Sequence, residues 1–372
     1  MRMIKLLVIG ILFWTLAACD LPASITGTQT TPTGMVTLES TATLYIPPGI
    51  PPLSSTDTNQ IISGDVISIY NAQALQVGAE VLEGQAQAFS WMPGGEQVAL
   101  TVDQGIMVYV VESSTVANHL EAPNPSNLTS AENTQWLAWV SDELTIQIFD
   151  TQENRQMAEI QSPSGPVTSL SLASESGKIA FSTFDNQVQV WEERDGSFQI
   201  FKEWQLPYWL TDLAFSPDGA TLAGADLTNF KVHLFDLASG EEVRSLIWTE
   251  HASPALYGVE FSPDWKYLAW VARGSVMIMD LESGEPLANL EHEDFVSAYT
   301  WSADGQLLAT AAAGTLNGEF SPMVYLWEAN SGALVNQLAQ QASVLSMSFS
   351  PDGRELAVLT SGGALQIWQV AP

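Results

Sequence analysis

One phrase recurs along this chain at a nearly fixed period, and that period limits the fold more than any other feature. An apolar strand ends in an aromatic residue and Ser, a Pro-Asp-Gly type turn follows, and an apolar-Ala pair comes two residues later. It reads Phe215-Ser216-Pro217-Asp218-Gly219 with Leu222-Ala223, and Phe261-Ser262-Pro263-Asp264 with Leu268-Ala269. It returns as Trp301-Ser302-Ala303-Asp304-Gly305 with Leu308-Ala309, and Phe349-Ser350-Pro351-Asp352-Gly353 with Leu356-Ala357. Degenerate copies carry Val98-Ala99, Leu137-Ala138 and Ile179-Ala180. The pairs begin at 98, 137, 179, 222, 268, 308 and 356, in steps of 39, 42, 43, 46, 40 and 48 residues. Each step accommodates one four-stranded sheet.

The rest of each repeat supports that reading. Each pair runs on into an alternating strand with a large residue near its end, such as Val188-Gln189-Val190-Trp191, Val232-His233-Leu234-Phe235 and Val324-Tyr325-Leu326-Trp327. Ser-Gly turns at 239, 283 and 331 then lead to strands ending in Leu246, Leu290 and Leu338. Pro presets φ, Asp caps the turn and Gly takes positive φ, so the phrase makes a tight hairpin. The last copy stops after its third strand. The segment Leu75–Leu82 has the pattern of a fourth strand and no inner strands of its own. Pairing it with the seventh sheet would tie the two ends together and remove an exposed edge. The expected fold is all-β: a seven-bladed β-propeller of four-stranded blades over 61–372, closed by the strand at about 75–82.

These repeats closely resemble the WD-repeat family over residues 66–370. The Gly-His pair of that family is missing; His251 and His292 stand near its place in two repeats, and Asp185 alone fills its structural Asp position. A looser resemblance, to TolB-like propellers, rests on the aromatic-Ser-Pro-Asp-Gly turn, whereas the Trp-Glu and Phe-Asp strand ends favour the WD-repeat reading. The WD-repeat resemblance implies scaffolding by protein–protein contact.

The start of the chain reads differently. Arg2 and Lys5 precede an apolar run from Leu6 to Leu16, too short to span a bilayer, and small residues before a cut point mark an export signal. The tetrad Leu16-Ala17-Ala18-Cys19 resembles the bacterial lipobox. That resemblance implies a signal peptide over 1–18, lipid attachment at Cys19, acylation of the new N-terminus, commonly with palmitate, and a place on the extracytoplasmic side of the cell membrane. Cys19 is the single cysteine, so no disulfide staples the fold. After it, 19–60 form a linker whose residues 20–60 hold no Lys or Arg and are about half Ser, Thr and Pro. Such a disordered coil would span about 35 Å.

Charge excludes one class of partner. With 1–18 removed, 9 Lys and Arg face 42 Asp and Glu, a formal charge of −33. That field repels phosphate backbones, so nucleic acid is not expected. The plain reading of the acidity is solubility; the sharper ones are cation binding or a basic partner. The acids are scattered, without the spacing of a calcium loop.

No catalytic constellation is present. His119, His233, His251 and His292 have no metal-ligand spacing, so no metal and no cofactor are expected. His233 reads as a packed blade residue. The better candidates are aromatics in the loops leading from outer to inner strands, which share one face: Trp204, Tyr208, Trp209, Trp248, Tyr257 and Phe295. Clustered aromatics on a rim form binding hot spots, and they equally fill wedges between blades. An insertion at Gly314–Phe320 is expected to protrude from that face. Two readings compete. One is a monomeric, non-enzymatic platform for an envelope or extracellular protein, held to the membrane by its lipid. The other is a glycan- or small-molecule-binding propeller, with a hydrolase or lyase as its enzymatic form, which an acidic pair facing the channel would favour.

Overall fold

The computed structural model describes residues 65–82, 86–103, 105–131, 134–247, 256–272, 274–316 and 319–371. The signal peptide, Cys19, the linker, Trp248 and His251 lie outside the described residues.

The repeats fold as expected. Seven four-stranded antiparallel sheets form, six of them from consecutive strands. Blade 1 covers 89–121, blade 2 126–161, blade 3 167–205, blade 4 210–247, blade 5 256–291 and blade 6 296–339. Blade 7 takes 344–370 and receives its outer strand from the other end of the chain. There Leu75–Leu82 pairs antiparallel with Ala364–Val370, from Leu75 opposite Val370 to Leu82 opposite Ala364. Ile67 N–H also donates to Gly353 O at 2.8 Å, and Ala371 N–H to Ala74 O at 2.9 Å. The closure read from the sequence is the closure that forms.

The recurring phrase becomes one turn, made four times. Ser216 Oγ lies 2.6 Å from Asp218 Oδ1 and accepts Thr221 N–H at 2.9 Å. Ser262–Asp264, Ser302–Asp304 and Ser350–Asp352 repeat the pair at 2.7–2.8 Å. Gly219, Gly305 and Gly353 take the left-handed backbone at φ 64–71° that the turn requires. Blade 5 puts Trp265 there instead, at φ 63°, its ring stacked on Phe261 at 5.1 Å.

The middle strands carry the core because both their faces meet neighbouring blades. Leu100, Leu137, Ile179, Leu222, Leu268, Leu308 and Leu356 are fully buried, most of them members of the apolar-Ala pairs. Each inner strand, by contrast, has an unpaired edge whose backbone groups need other partners. Side chains from the preceding blade supply them at repeating positions. At the second residue of the inner strand, Thr168 donates to Leu210 O (3.4 Å), Thr211 to Leu256 O (3.1 Å) and Tyr257 to Val296 O (2.8 Å). At the third residue, Ser169 Oγ accepts Leu213 N–H at 3.1 Å and Asp212 Oδ2 accepts Val259 N–H at 3.1 Å. Further along, Ser171 Oγ accepts Phe215 N–H at 3.4 Å, and the Glu260 carboxyl meets Trp301 N–H. Polar side chains thus bind the inner strands of blades 3 to 6 to one another.

Candidate functional site

Antiparallel pairing decides which loops share a face. Val167, the first residue of an inner strand, lies opposite Thr183, the last residue of the second strand. The loop entering each inner strand and the turn between second and third strands therefore lie at the same end. That end is called the rim here.

Two aromatic pairs form on it. Trp209 immediately precedes the inner strand Leu210–Phe215, and its ring meets Phe184 at 5.2 Å and 58°. Phe184 belongs to the turn after Lys178–Thr183, where its N–H donates to Pro166 O, and it is 54% exposed. Phe295 precedes the inner strand Val296–Trp301 at the position equivalent to Trp209. It stacks on Tyr257 at 4.7 Å and 17° and is 42% exposed. Burial pushes the Tyr257 hydroxyl well above the ordinary phenol range, so it stays protonated and donates to Val296 O.

The pairs occupy one end of one stretch of ring. Tyr299 Oη reaches Asp212 at 3.2 Å across blade 5. Trp209 stands three residues before Asp212 and Phe295 four before Tyr299. At about 3.3 Å per residue, each aromatic lies roughly 10–13 Å along its strand from that contact. The same end carries the long hairpin of blade 6, whose pairing continues past Ala312–Met323 to Leu316–Glu319. The insertion protrudes where the sequence suggested.

Two of the other expected aromatics are placed differently. Trp204 lies inside the outer strand Ser197–Gln205 rather than in a loop, because that strand runs on to Gln205. Its Nε1 donates to Gly240 O at 2.9 Å and its ring meets Phe235 at 5.4 Å, so it fills the wedge between blades 3 and 4. Tyr208 is in the loop but lies flat on His233, with centroids 4.2 Å apart and planes 9° apart. The position of Trp248 falls outside the described residues.

His233 is held from both sides. Its Nε2 is 3.2 Å from Asp226 and its Nδ1 2.9 Å from Glu242. Burial alone would lower its pKa, but the two carboxylates outweigh burial and raise it above the usual histidine value. Asp226 is lowered despite its burial, by His233, by Asn229 and by the N–H groups of Thr228 and Asn229. The packed role read for His233 therefore comes with a charged hydrogen-bond network.

A second group was not read from the sequence. Asp212 accepts from Ser169, from Leu213 N–H and Val259 N–H, and from Tyr299. Burial nevertheless raises its pKa, and burial together with the Asp212 charge pushes Glu260 up to about 8. Blade 5 has Gly258 where blades 3 and 4 have Ser169 and Asp212. A Cβ there would lie 2.4 Å from Tyr299 Oη. Gly258 is what lets Tyr299 reach past blade 5 to Asp212. The signal was present in the repeats: an Asp and a Gly at a position held elsewhere by Ser169, Ala298 and Ser346. The acidic pair thus exists, but its hydrogen bonds run into the junctions between inner strands.

Concavity lies elsewhere. A groove of about 420 Å³ between blades 1 and 2 is lined by Met92, Gln97, Asn118, Leu120, Gln135 and Phe149, with no rim aromatic and neither acid of the pair. Among the described residues no group of three or more His, Asp or Glu is placed to hold a metal ion.

No family model matches the chain. It is 29% identical over 153 residues to a WD repeat-containing protein of Schistosoma mansoni, covering 40% of this chain and 47% of that one. It is 31% identical over 150 residues to an uncharacterized WD repeat-containing protein of Synechocystis, covering 39% and 40%. The chain thus spans less than half the length of these relatives. Among solved structures it is similar to the β-propeller domain of Myceliophteria thermophila Cps50 (Swd1), with a TM-score of 0.65 and 17% identity over 80% of this chain and all of that one. The chain is a seven-bladed β-propeller of four-stranded blades, similar over part of its length to WD-repeat proteins.

Proposed function

We propose that this propeller is a monomeric, lipid-anchored protein on the extracytoplasmic side of the cell membrane, where its rim is a non-catalytic docking platform for another protein. One observation carries the docking role: two part-exposed aromatic pairs, Phe184–Trp209 and Tyr257–Phe295, at repeating junctions of one rim. Rigid aromatic surface held by strands is what binding hot spots use, since little side-chain freedom is lost on contact. The WD-repeat relatives support a scaffold. The anchor is supported by the export signal and by Cys19 in its tetrad.

A photo-crosslinking residue placed at 184 or 295 of the membrane-bound protein should capture a discrete partner, and one at 282, on the opposite end, should not. Equal capture from all three sites would move docking away from the rim. For the anchor, Cys19→Ser should shift the protein from the membrane fraction to the soluble one; unchanged fractionation would exclude lipid attachment at this residue.

The glycan- or small-molecule reading, as a hydrolase or lyase, has Asp212 and Glu260 on its side, two acids close enough to perturb each other. Asp212 already accepts from four donors, and Glu260 meets Trp301 N–H. That pair serves the strand junctions better than it would serve a substrate.

A further inference from the structure

Among the described residues the cations of the propeller are sorted between its two ends, and the sorting bears on what the rim binds. Of the 11 Lys and Arg, Arg2, Lys5 and Arg273 lie outside the described residues, leaving eight. Five of these stand at the end opposite the rim, beside turns: Arg155, Lys178, Arg194, Lys266 and Arg354. Two more lean toward that end. Lys202 Nζ donates to Ala238 O at 3.1 Å, and the Arg244 guanidinium lies against the turn at Gly284. Lys231 alone begins a strand at the rim.

Glu153, Glu192, Asp264 and Asp352 on the opposite end meet these cations, and that end also exposes Glu112, Asp195, Asp218, Glu241, Glu282 and Glu285. Arg155–Glu153, Lys178–Glu192, Arg194–Glu192, Lys266–Asp264 and Arg354–Asp352 are its ion pairs. The rim presents exposed Glu121, Asp142, Glu143, Asp185, Glu293 and Asp294. Asp185 directly follows Phe184, and Glu293 and Asp294 directly precede Phe295. Both exposed rings are therefore bordered by carboxylates in their own loops.

We infer that the partner of the rim presents a segment rich in Lys and Arg. This rests on the rim being the docking surface, and it names the chemistry docked there. The long stems of Lys and Arg pack on aromatic faces, and their cationic heads gain from the ring quadrupole and from flanking carboxylates. An acidic segment would face repulsion from the same groups, and a neutral one would gain only the aromatic contact.

Three unstructured peptides of equal length separate these cases, differing only in whether alternate positions hold Arg and Lys, Glu and Asp, or Gln and Asn. Binding to the full chain is followed by calorimetric titration at low and physiological salt. The basic peptide should bind, and weaken as salt rises. Phe184→Ser with Phe295→Ser should weaken it roughly tenfold or more. Asp185→Asn with Glu293→Gln and Asp294→Asn should do the same and flatten the salt dependence. Glu153→Gln with Glu241→Gln and Glu282→Gln, at the opposite end, should leave binding unchanged, with melting temperatures showing every variant folded. Rim-dependent binding of the neutral peptide as tightly as the basic one would overturn the charge inference while sparing the docking role. No binding of the basic peptide, or equal weakening by the opposite-end variant, would also overturn the inference. Failure of docking itself is read separately, by loss of site-selective crosslinking.

Discussion

Blades 4 and 6 each bury a histidine in the network that ties the entering loop to the sheet, and the two histidines are driven in opposite directions. In blade 4, His233 sits between Asp226 and Glu242 under Tyr208, and its pKa is raised. In blade 6, the His292 ring has the neutral Thr310 as its side-chain hydrogen-bond partner, Nε2 to Oγ1 at 2.7 Å. Burial drives it down to about 4, against the pull of the Gly274 and Leu290 carbonyls. Thr310 also accepts Trp327 Nε1 at 2.8 Å. Two different positions of one repeated scaffold thus favour the charged imidazole in one blade and the neutral one in the other. Carboxylates within hydrogen-bond reach, and not burial, make the difference.

The largest effect should come from breaking the charged network. His233→Ala leaves Asp226 without one donor and Glu242 facing it, at a cost of roughly 2–4 kcal/mol near neutral pH. Equilibrium denaturation at several pH values checks this. Because the folded pKa is raised, the stability contributed by ionised His233 is complete below its unfolded value and fades as pH rises through the folded one. The penalty should shrink at alkaline pH. A penalty under about 1 kcal/mol at every pH would make the network incidental.

His292 should show the opposite slope. Its folded pKa lies below the unfolded value, so its contribution is present above the unfolded value and is lost as pH falls toward about 4. His292→Gln should therefore flatten the acid limb of the stability curve, by on the order of 2 kcal/mol. NMR titration gives a direct check: the His233 ring should still be charged at a pH where the His292 ring is already neutral. If both rings titrated together, the contrast between the blades would fail.

How legible these regions were differs for a physical reason. The sheets, their number and the closure by Leu75–Leu82 could be read because hairpins and alternation are local and repeated seven times. Trp209 and Phe295 could be placed because each stands one residue before an inner strand. Phe184 was missed because its turn lies outside the repeated phrase; only the pairing of Val167 with Thr183 brings it to the rim. Trp204 reads as a loop residue in the sequence because nothing there shows the outer strand continuing to Gln205. Asp212, Glu260 and Tyr299 take their meaning from strands about 40 or more residues away, where a repeat length says nothing about side-chain reach.

The smallest effect sharpens the comparison most. Phe235 and Trp327 hold the same place, opposite the Leu of the apolar-Ala pair: Leu222 in blade 4 and Leu308 in blade 6. Blade 4 has no indole there, and Gly224 stands where blade 6 has Thr310. Trp327→Phe makes blade 6 like blade 4 at this position. The ring is largely kept, the indole N–H bond is lost, and the Thr310 hydroxyl retains His292 as a partner, so no buried group is orphaned. The cost should be about 1 kcal/mol, a fall of about 2–4 °C in melting temperature for a domain of this size. Thr310→Val removes the shared oxygen from Trp327 and His292 together and should cost more than Trp327→Phe. If the two variants cost the same, the hydroxyl links nothing beyond the indole, and His292 is held by packing alone.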